Sequence, residues 1–151
     1  MDAIDRDILR HLQDDGRMSN LDLARSVGLS PTPTLRRVRE LERQGAIRGY
    51  RAIVDPAAVD RSFQVLVWVD LVQGTRATIE AFESGLLDIP DVIEAQRLFG
   101  EPDYLLRVAV RDADEYERLY TNRLAALPGV RKARSQIGMK TIRAGLTLPV
   151  T

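Results

Sequence analysis

The chain has 151 residues, no cysteine, and 22 basic against 22 acidic side chains, for a formal net charge of zero. Its 44% hydrophobic and 29% charged content are those of a soluble globular protein, and its length suits one ordinary domain or two small ones. Without cysteine there are no disulfides, thiolate metal sites or cysteine nucleophiles. No apolar run is long enough to cross a bilayer and no signal peptide is visible, so the expected location is the cytoplasm, with no membrane partner.

Ile4, Ile8, Leu9 and Leu12 recur at helical spacing, and Asp14-Asp15-Gly16 ends this first helix. Ser19, with Asp22 three residues on, resembles a capping box for a second helix whose small apolar face is Leu21, Ala24 and Val27. Gly28 closes it, and only Leu29 and Ser30 lie before the next helix. So short a connection with a glycine makes two helices cross steeply. In the third helix Leu35, Val38 and Leu41 share one stripe, with Thr34 near it. Thr32, Arg36, Glu40 and Arg43 point the other way, and Arg37 and Arg39 lie on the flanks. Pro31 and Pro33 fit the first turn, where backbone N–H groups have no intrahelical partner. Either Ser30 or Thr32 is the cap, and Gly45 supplies the left-handed residue that ends the helix. Ala46 to Asp55 alternates like a strand that Asp55-Pro56 stops.

Charge is segregated along this first part. Residues 1–22 carry three Arg and six Asp, a balance of −3, whereas residues 36–51 carry six Arg and two Glu, a balance of +4. The positive charge therefore gathers on the third helix and the stretch after it, as a helix-turn-helix in the DNA major groove requires. Of the 22 basic residues only Lys132 and Lys140 are not Arg. Arg suits bidentate contacts to phosphate and guanine, although genome composition alone also produces such a bias.

After Asp60-Arg61 the pattern changes. Phe63 to Val72 reads as a central strand, with Val65, Val67, Val69 and Leu71 on one face and Leu66 and Trp68 on the other. Gly74-Thr75 leads into a helix with Ile79, Phe82, Leu86 and Leu87 inward, ended by Ile89-Pro90. Val92 to Phe99 and Tyr104 to Val110 are strands around the tight turn Gly100-Glu101-Pro102-Asp103. Asp112 opens a helix carrying Tyr116, Leu119, Leu124 and Leu127, which Pro128-Gly129 stops. Val130 to Ile137 is a fourth strand, and extended residues run on from Met139 to Leu148. The order βαββαβ is the ferredoxin-like arrangement, an antiparallel sheet with both helices on one face. Apolar residues on the sheet's other face predict packing against a second sheet, most economically in a two-fold dimer. The expected fold is α+β, with a winged-helix-type helix-turn-helix domain (1–53), a linker (54–62) and a ferredoxin-like domain (63–151).

The chain resembles the Lrp/AsnC family, the feast/famine regulators. The resemblance rests on Asp2-Ala3-Ile4-Asp5-Arg6-Asp7-Ile8-Leu9, on Gly28 to Val38, on Gly45-Ala46-Ile47-Arg48-Gly49-Tyr50, and on Gly100-Glu101-Pro102-Asp103-Tyr104-Leu105-Leu106. Two departures are Met1 where leucine is usual and Thr34 where cysteine is common. The resemblance implies a transcriptional regulator that binds double-stranded DNA, and the two-fold dimer expected above matches palindromic promoter sites. It implies dimers that assemble further, often to octamers, and a small effector, usually an amino acid, bound in the C-terminal domain between dimers. No other cofactor and no metal are expected.

Thr32 and Arg36 are expected at base edges, and Ser30, Arg37, Arg39 and Arg48 at phosphates; the ordinary alternative for each Arg is a solvated helix face. The effector turn of the family falls on Gly100, Glu101, Pro102, Asp103 and Tyr104, where an unliganded hairpin turn is the ordinary reading. Ser135 and Gln136 match the family's polar positions on the fourth strand, for contribution by a neighbouring copy. His11, the only histidine, reads as structural, and Arg131-Lys132-Ala133-Arg134 as a solvated strand edge. An enzyme is disfavoured by the lack of a glycine-rich phosphate loop or a metal-ligand cluster. A small-molecule binding module without DNA-binding activity would leave the basic helix unexplained, and another winged-helix repressor family would leave the βαββαβ half unexplained.

Overall fold

The computed structural model describes residues 1–142 and 147–150. The chain divides into two compact units, Met1–Ile53 together with residues 147–150, and Val54–Ile142.

In the first unit α1 is Ala3–Asp14, α2 is Asn20–Ser26 and α3 is Pro31–Arg43. A reciprocal capping box starts α1: the Asp5 N–H donates to Asp2 and the Asp2 N–H donates to Asp5, each at 2.9 Å. The Ser19 hydroxyl accepts the Asp22 N–H at 3.1 Å to cap α2. Of the two candidate caps for α3, Ser30 stands at the N-cap with Pro31 next, as a helix that begins on proline needs. Gly28 and Gly45 adopt φ of 68° and 72°, the left-handed conformation that closes α2 and α3. Ile8, Leu23 and Leu41 are buried at the centre, ringed by partly buried side chains such as Ile4, Leu12, Val38 and Ile47. Leu21 and Leu35, expected inward, are 49% and 38% exposed, because three short helices enclose little volume. Thr34 fills the remaining core position and donates its hydroxyl to the Ser30 carbonyl at 3.0 Å.

The strand expected over 46–55 does not form. No described strand pairs with it, and an unpaired strand leaves its backbone groups to water. Ile47 instead folds back to donate its N–H to the Leu41 carbonyl, and Ile53 is 95% exposed. A 3₁₀ turn, Pro56–Val59, follows. At the other end of the chain Leu148 exchanges two hydrogen bonds with the Gln13 amide, at 2.7 and 3.1 Å. Residues 147–150 thus group with the first unit. Of the extended run expected from Met139 to Leu148, residues 139–142 form no strand and residues 143–146 lie outside the described residues.

The second unit runs β1 (Phe63–Leu71), α4 (Arg76–Leu87), β2 (Val92–Arg97), β3 (Tyr104–Val110), α5 (Ala113–Leu119) and β4 (Val130–Ile137). The sheet order is β2-β3-β1-β4 with every pair antiparallel, which is the ferredoxin-like topology. One face of β1 and β3 buries Val65, Val67, Val69, Leu106 and Val108 against Phe82 and Leu86 of α4 and Leu119 of α5. Leu87, expected inward, is 87% exposed, and Ile89 beyond the helix end is buried instead. A single π turn, Tyr120–Leu124, extends α5 and carries Leu124 into the core. The opposite face of the sheet carries Leu66, Trp68 and Leu105, none of them fully buried. There the Trp68 indole N–H donates to the Gln136 amide oxygen at 2.7 Å.

Candidate nucleic-acid interface and ligand site

The two helices that cross after Gly28 leave one side of α3 to solvent, because the other side carries Thr34, Val38 and Leu41 into the core. Ser30 at the N-cap and Thr32, Arg36 and Arg39 on α3 are exposed, and Arg48 is exposed after it. Among the described residues Arg36, Arg39 and Arg48 enter no ion pair. Arg43 is paired with Glu40, whose carboxyl is held down to about 2 by that guanidinium first and by the Gln44 amide second. Arg37 differs from its neighbours. Its Nη1 donates to Asp5 at 2.7 Å and to Asp2 at 2.8 Å, and its side chain is 29% exposed. Its guanidinium is bound to α1, with its proton held more tightly than usual chiefly by the Asp5 hydrogen bond. Five of the six residues expected at DNA therefore lie open, while Arg37 is already engaged. The sequence motif contained both aspartates, but nothing in their spacing pointed to a partner 32 residues away.

The turn between β2 and β3 is closed by the Leu98 N–H donating to the Asp103 carbonyl at 2.8 Å. Gly100 has φ of 117°, a conformation side chains rarely tolerate. The Asp103 carboxylate accepts the Leu71 N–H at 2.7 Å, where β1 shifts register between Asp70 and Leu71. Tyr104 points away from the turn. It is 3% exposed, its ring lies 4.6 Å from that of Phe82, and its hydroxyl donates to Glu83 at 2.7 Å. Burial, then the Glu83 carboxylate, push its pKa up to about 12. Of the expected turn set, Gly100, Glu101, Pro102 and Asp103 stand at the surface and the Tyr104 side chain belongs to the core.

Ser135 and Gln136 are successive residues of a strand and so face opposite sides of the sheet. Ser135 faces the helices, its hydroxyl 2.6 Å from that of Tyr116, while Gln136 faces the open side with Trp68. Ser135 pairs with Val67 and Tyr104 with Val69, and β1 lies between them. One chain does not bring these two residues to the turn. The structure adds Asp70 of β1. It is 6% exposed beside the Asp103 bond, with Arg134 of β4 at 3.7 Å. A shallow cavity of about 490 Å³ beside α4, lined in part by Val72, Thr78 and Gly129, includes none of the expected effector residues. Among the described residues no histidine and carboxylate cluster is placed to hold a metal, and no helix is long and apolar enough to cross a membrane.

Comparison with known proteins covers the chain nearly end to end. A family model described as a winged helix-turn-helix DNA-binding domain matches residues 1–48, and one described as the Lrp/AsnC ligand-binding domain matches residues 64–147. The leucine-responsive regulatory protein of Klebsiella pneumoniae is 43% identical over 143 residues, 95% of this chain and 87% of that relative. Its Escherichia coli K12 counterpart is 42% identical over the same span of this chain. A transcriptional regulator of Neisseria meningitidis, solved as its L-Met complex, superposes with a TM-score of 0.94 at 33% identity, covering 99% of this chain and 96% of that one. An AsnC family regulator of Agrobacterium tumefaciens superposes with a TM-score of 0.91 at 36% identity, covering 99% and 97%. With a basic helix-turn-helix in one unit and a ferredoxin-like sheet in the other, this chain belongs to the Lrp/AsnC family of DNA-binding transcriptional regulators.

Proposed function

We propose that α3 reads operator DNA through Thr32 and Arg36, while Ser30, Arg39 and Arg48 hold the phosphate backbone. The observation that carries this is the open row of Arg36 and Arg39, without an ion pair among the described residues, beside an Arg37 whose Nη1 is bound to Asp2 and Asp5. A bidentate base contact discriminates by roughly 1–3 kcal/mol, and phosphate contacts add affinity that falls steeply with salt. Arg36→Ala therefore changes sequence preference, and Arg39→Ala weakens all sites alike. Gel shifts of the full chain on its own upstream DNA, at two salt concentrations, test this. Uniform loss across sequences for Arg36→Ala would refute the split of roles.

The second part of the reading is an amino-acid effector at the Gly100–Asp103 turn, acting in the cytoplasm. Asp103 offers a carboxylate for an ammonium group, and the glycine turn offers backbone N–H groups for a carboxylate. Ser135 and Gln136 face opposite sides of the sheet, so one of them, from another copy, completes such a site and ties effector binding to assembly. Two copies packed through Leu66, Trp68 and Leu105 give the reading helices two-fold symmetry, which suits a palindromic site, and four such dimers build the octamer. Asp103→Asn keeps an oxygen for the Leu71 N–H but removes the charge. Its expected outcome is an unchanged gel shift that an amino-acid mixture no longer alters.

A further inference from the structure

We propose that Asp2 and Asp5 form a clamp that fixes Arg37 and, through it, the pose of α3, making Arg37 a positioning residue for DNA reading and not a phosphate contact. The inference rests on the assignment of α3 as the reading helix.

The carboxylate oxygens are divided without remainder. Asp2 Oδ1 accepts the Asp5 N–H and its Oδ2 accepts Arg37 Nη1; Asp5 Oδ2 accepts the Asp2 N–H and its Oδ1 accepts Arg37 Nη1. The two hydrogens of Nη1 suffice for the two carboxylates, one each. The capping box that starts α1 is thus also the socket for a side chain of α3. Both aspartates sit at the positive end of the α1 dipole, which favours their charge. The Asp5 side chain is 16% exposed and that of Arg37 29%, so water competes less here than at the exposed Arg43 pair. One guanidinium against two carboxylates leaves no net positive charge to attract a phosphate. Arg37 follows Arg36 directly, so an Arg37 released from α1 would let the base-reading row turn about the α3 axis.

Binding of the full chain to duplex from its own upstream region, and to a scrambled duplex of equal length, is measured by fluorescence anisotropy over a salt series. Arg39→Gln should lower the log affinity against log salt slope by about 0.9 on both duplexes, the loss of one phosphate contact. Arg37→Gln should leave the slope at the wild-type value and cut the preference for the upstream duplex about tenfold, a loss on the scale of one base contact. Asp5→Asn should lose a similar factor, the double variant no more than the worse single one, and Arg37→Lys, which keeps the charge and has donors for both carboxylates, should recover most of the preference. Circular dichroism of each variant confirms folding; should Arg37→Gln fail to fold, the preference of Asp5→Asn for the upstream duplex decides. A slope lowered by Arg37→Gln as by Arg39→Gln, or a preference untouched by Asp5→Asn, overturns the clamp. Wild-type chain that binds neither duplex overturns the reading-helix assignment itself, a different and recognisable failure.

Discussion

In the second unit thirteen side chains from Val65 to Leu124 are buried together as one core, whereas among the described residues the apolar cluster of the first unit is Ile8, Leu23 and Leu41, with Ala24 and Thr34 also buried. The helical unit makes up the difference with local devices: the Asp2–Asp5 capping box, the Ser19 cap, and the tie from Arg37 back to α1. A unit of this size has too little interior to rely on burial alone. The contrast separates two demands. The reading unit holds itself together with groups at helix ends and so keeps the α3 face for charge. The sheet unit has core to spare and leaves one apolar sheet face open.

The largest expected effects test whether the two units are stabilised separately. Phe82→Ala, at a fully buried site, should cost ~3–5 kcal/mol, and Ile8→Ala ~2–5 kcal/mol. Trp68, the single tryptophan, lies in the second unit, so its fluorescence in a denaturant titration should shift for Phe82→Ala and not for Ile8→Ala. Equal shifts of fluorescence and circular dichroism in both variants would make the chain one cooperative body. Next, Trp68→Arg puts a charge on the open sheet face and should raise the dissociation constant of the proposed dimer about a hundredfold, as loss of an interface anchor does. Sedimentation over a concentration series measures it, and an unchanged dimer would move the interface elsewhere.

Tyr104→Phe removes the bond to Glu83 and should cost about 1–2 kcal/mol near neutrality. It also has a pH signature. The folded state raises this phenol from 10.0 to about 12, so it favours the neutral form. The associated stability is present below pH 10 and lost as pH rises toward about 12. The alkaline decline of the melting temperature should therefore be flatter in Tyr104→Phe. The smallest effect belongs to the first unit. Glu40 is lowered from 4.5 to about 2, so the stability it contributes is present above pH 4.5 and lost as pH falls toward 2. On an exposed side chain this should be a shallow slope, absent in Glu40→Gln; a steep one would mean the pair is shielded from water.

Much of this was legible from residue order. Helical spacing located α1 and α3, which repeat their apolar positions over three turns or more, and the Ser19 cap with Gly28 marked the two turns of α2. The βαββαβ order and the two faces of β1 followed from alternation in the same way. What failed had a partner or a volume that lies outside the local pattern. Ala46 to Asp55 alternates like a strand but has no described strand beside it. Leu87 and Ile89 exchange roles because α4 ends between them, and Leu21 and Leu35 are left outside by a core already full.

The site residues divide along the same line. Periodicity and charge, read with the family motif, were enough to find the exposed row of α3 and the Gly100–Asp103 turn. Only the folded chain engages Arg37 with Asp2 and Asp5, buries Tyr104 against Phe82, sets Asp70 beside Asp103, and turns Ser135 and Gln136 to opposite faces. The sequence by itself determined the order of elements and where charge accumulates, since both depend on neighbours a few residues away. The tertiary structure decided which of those charges remain free, since a charge is neutralised by whatever the fold brings within about 4 Å, however far off in the chain.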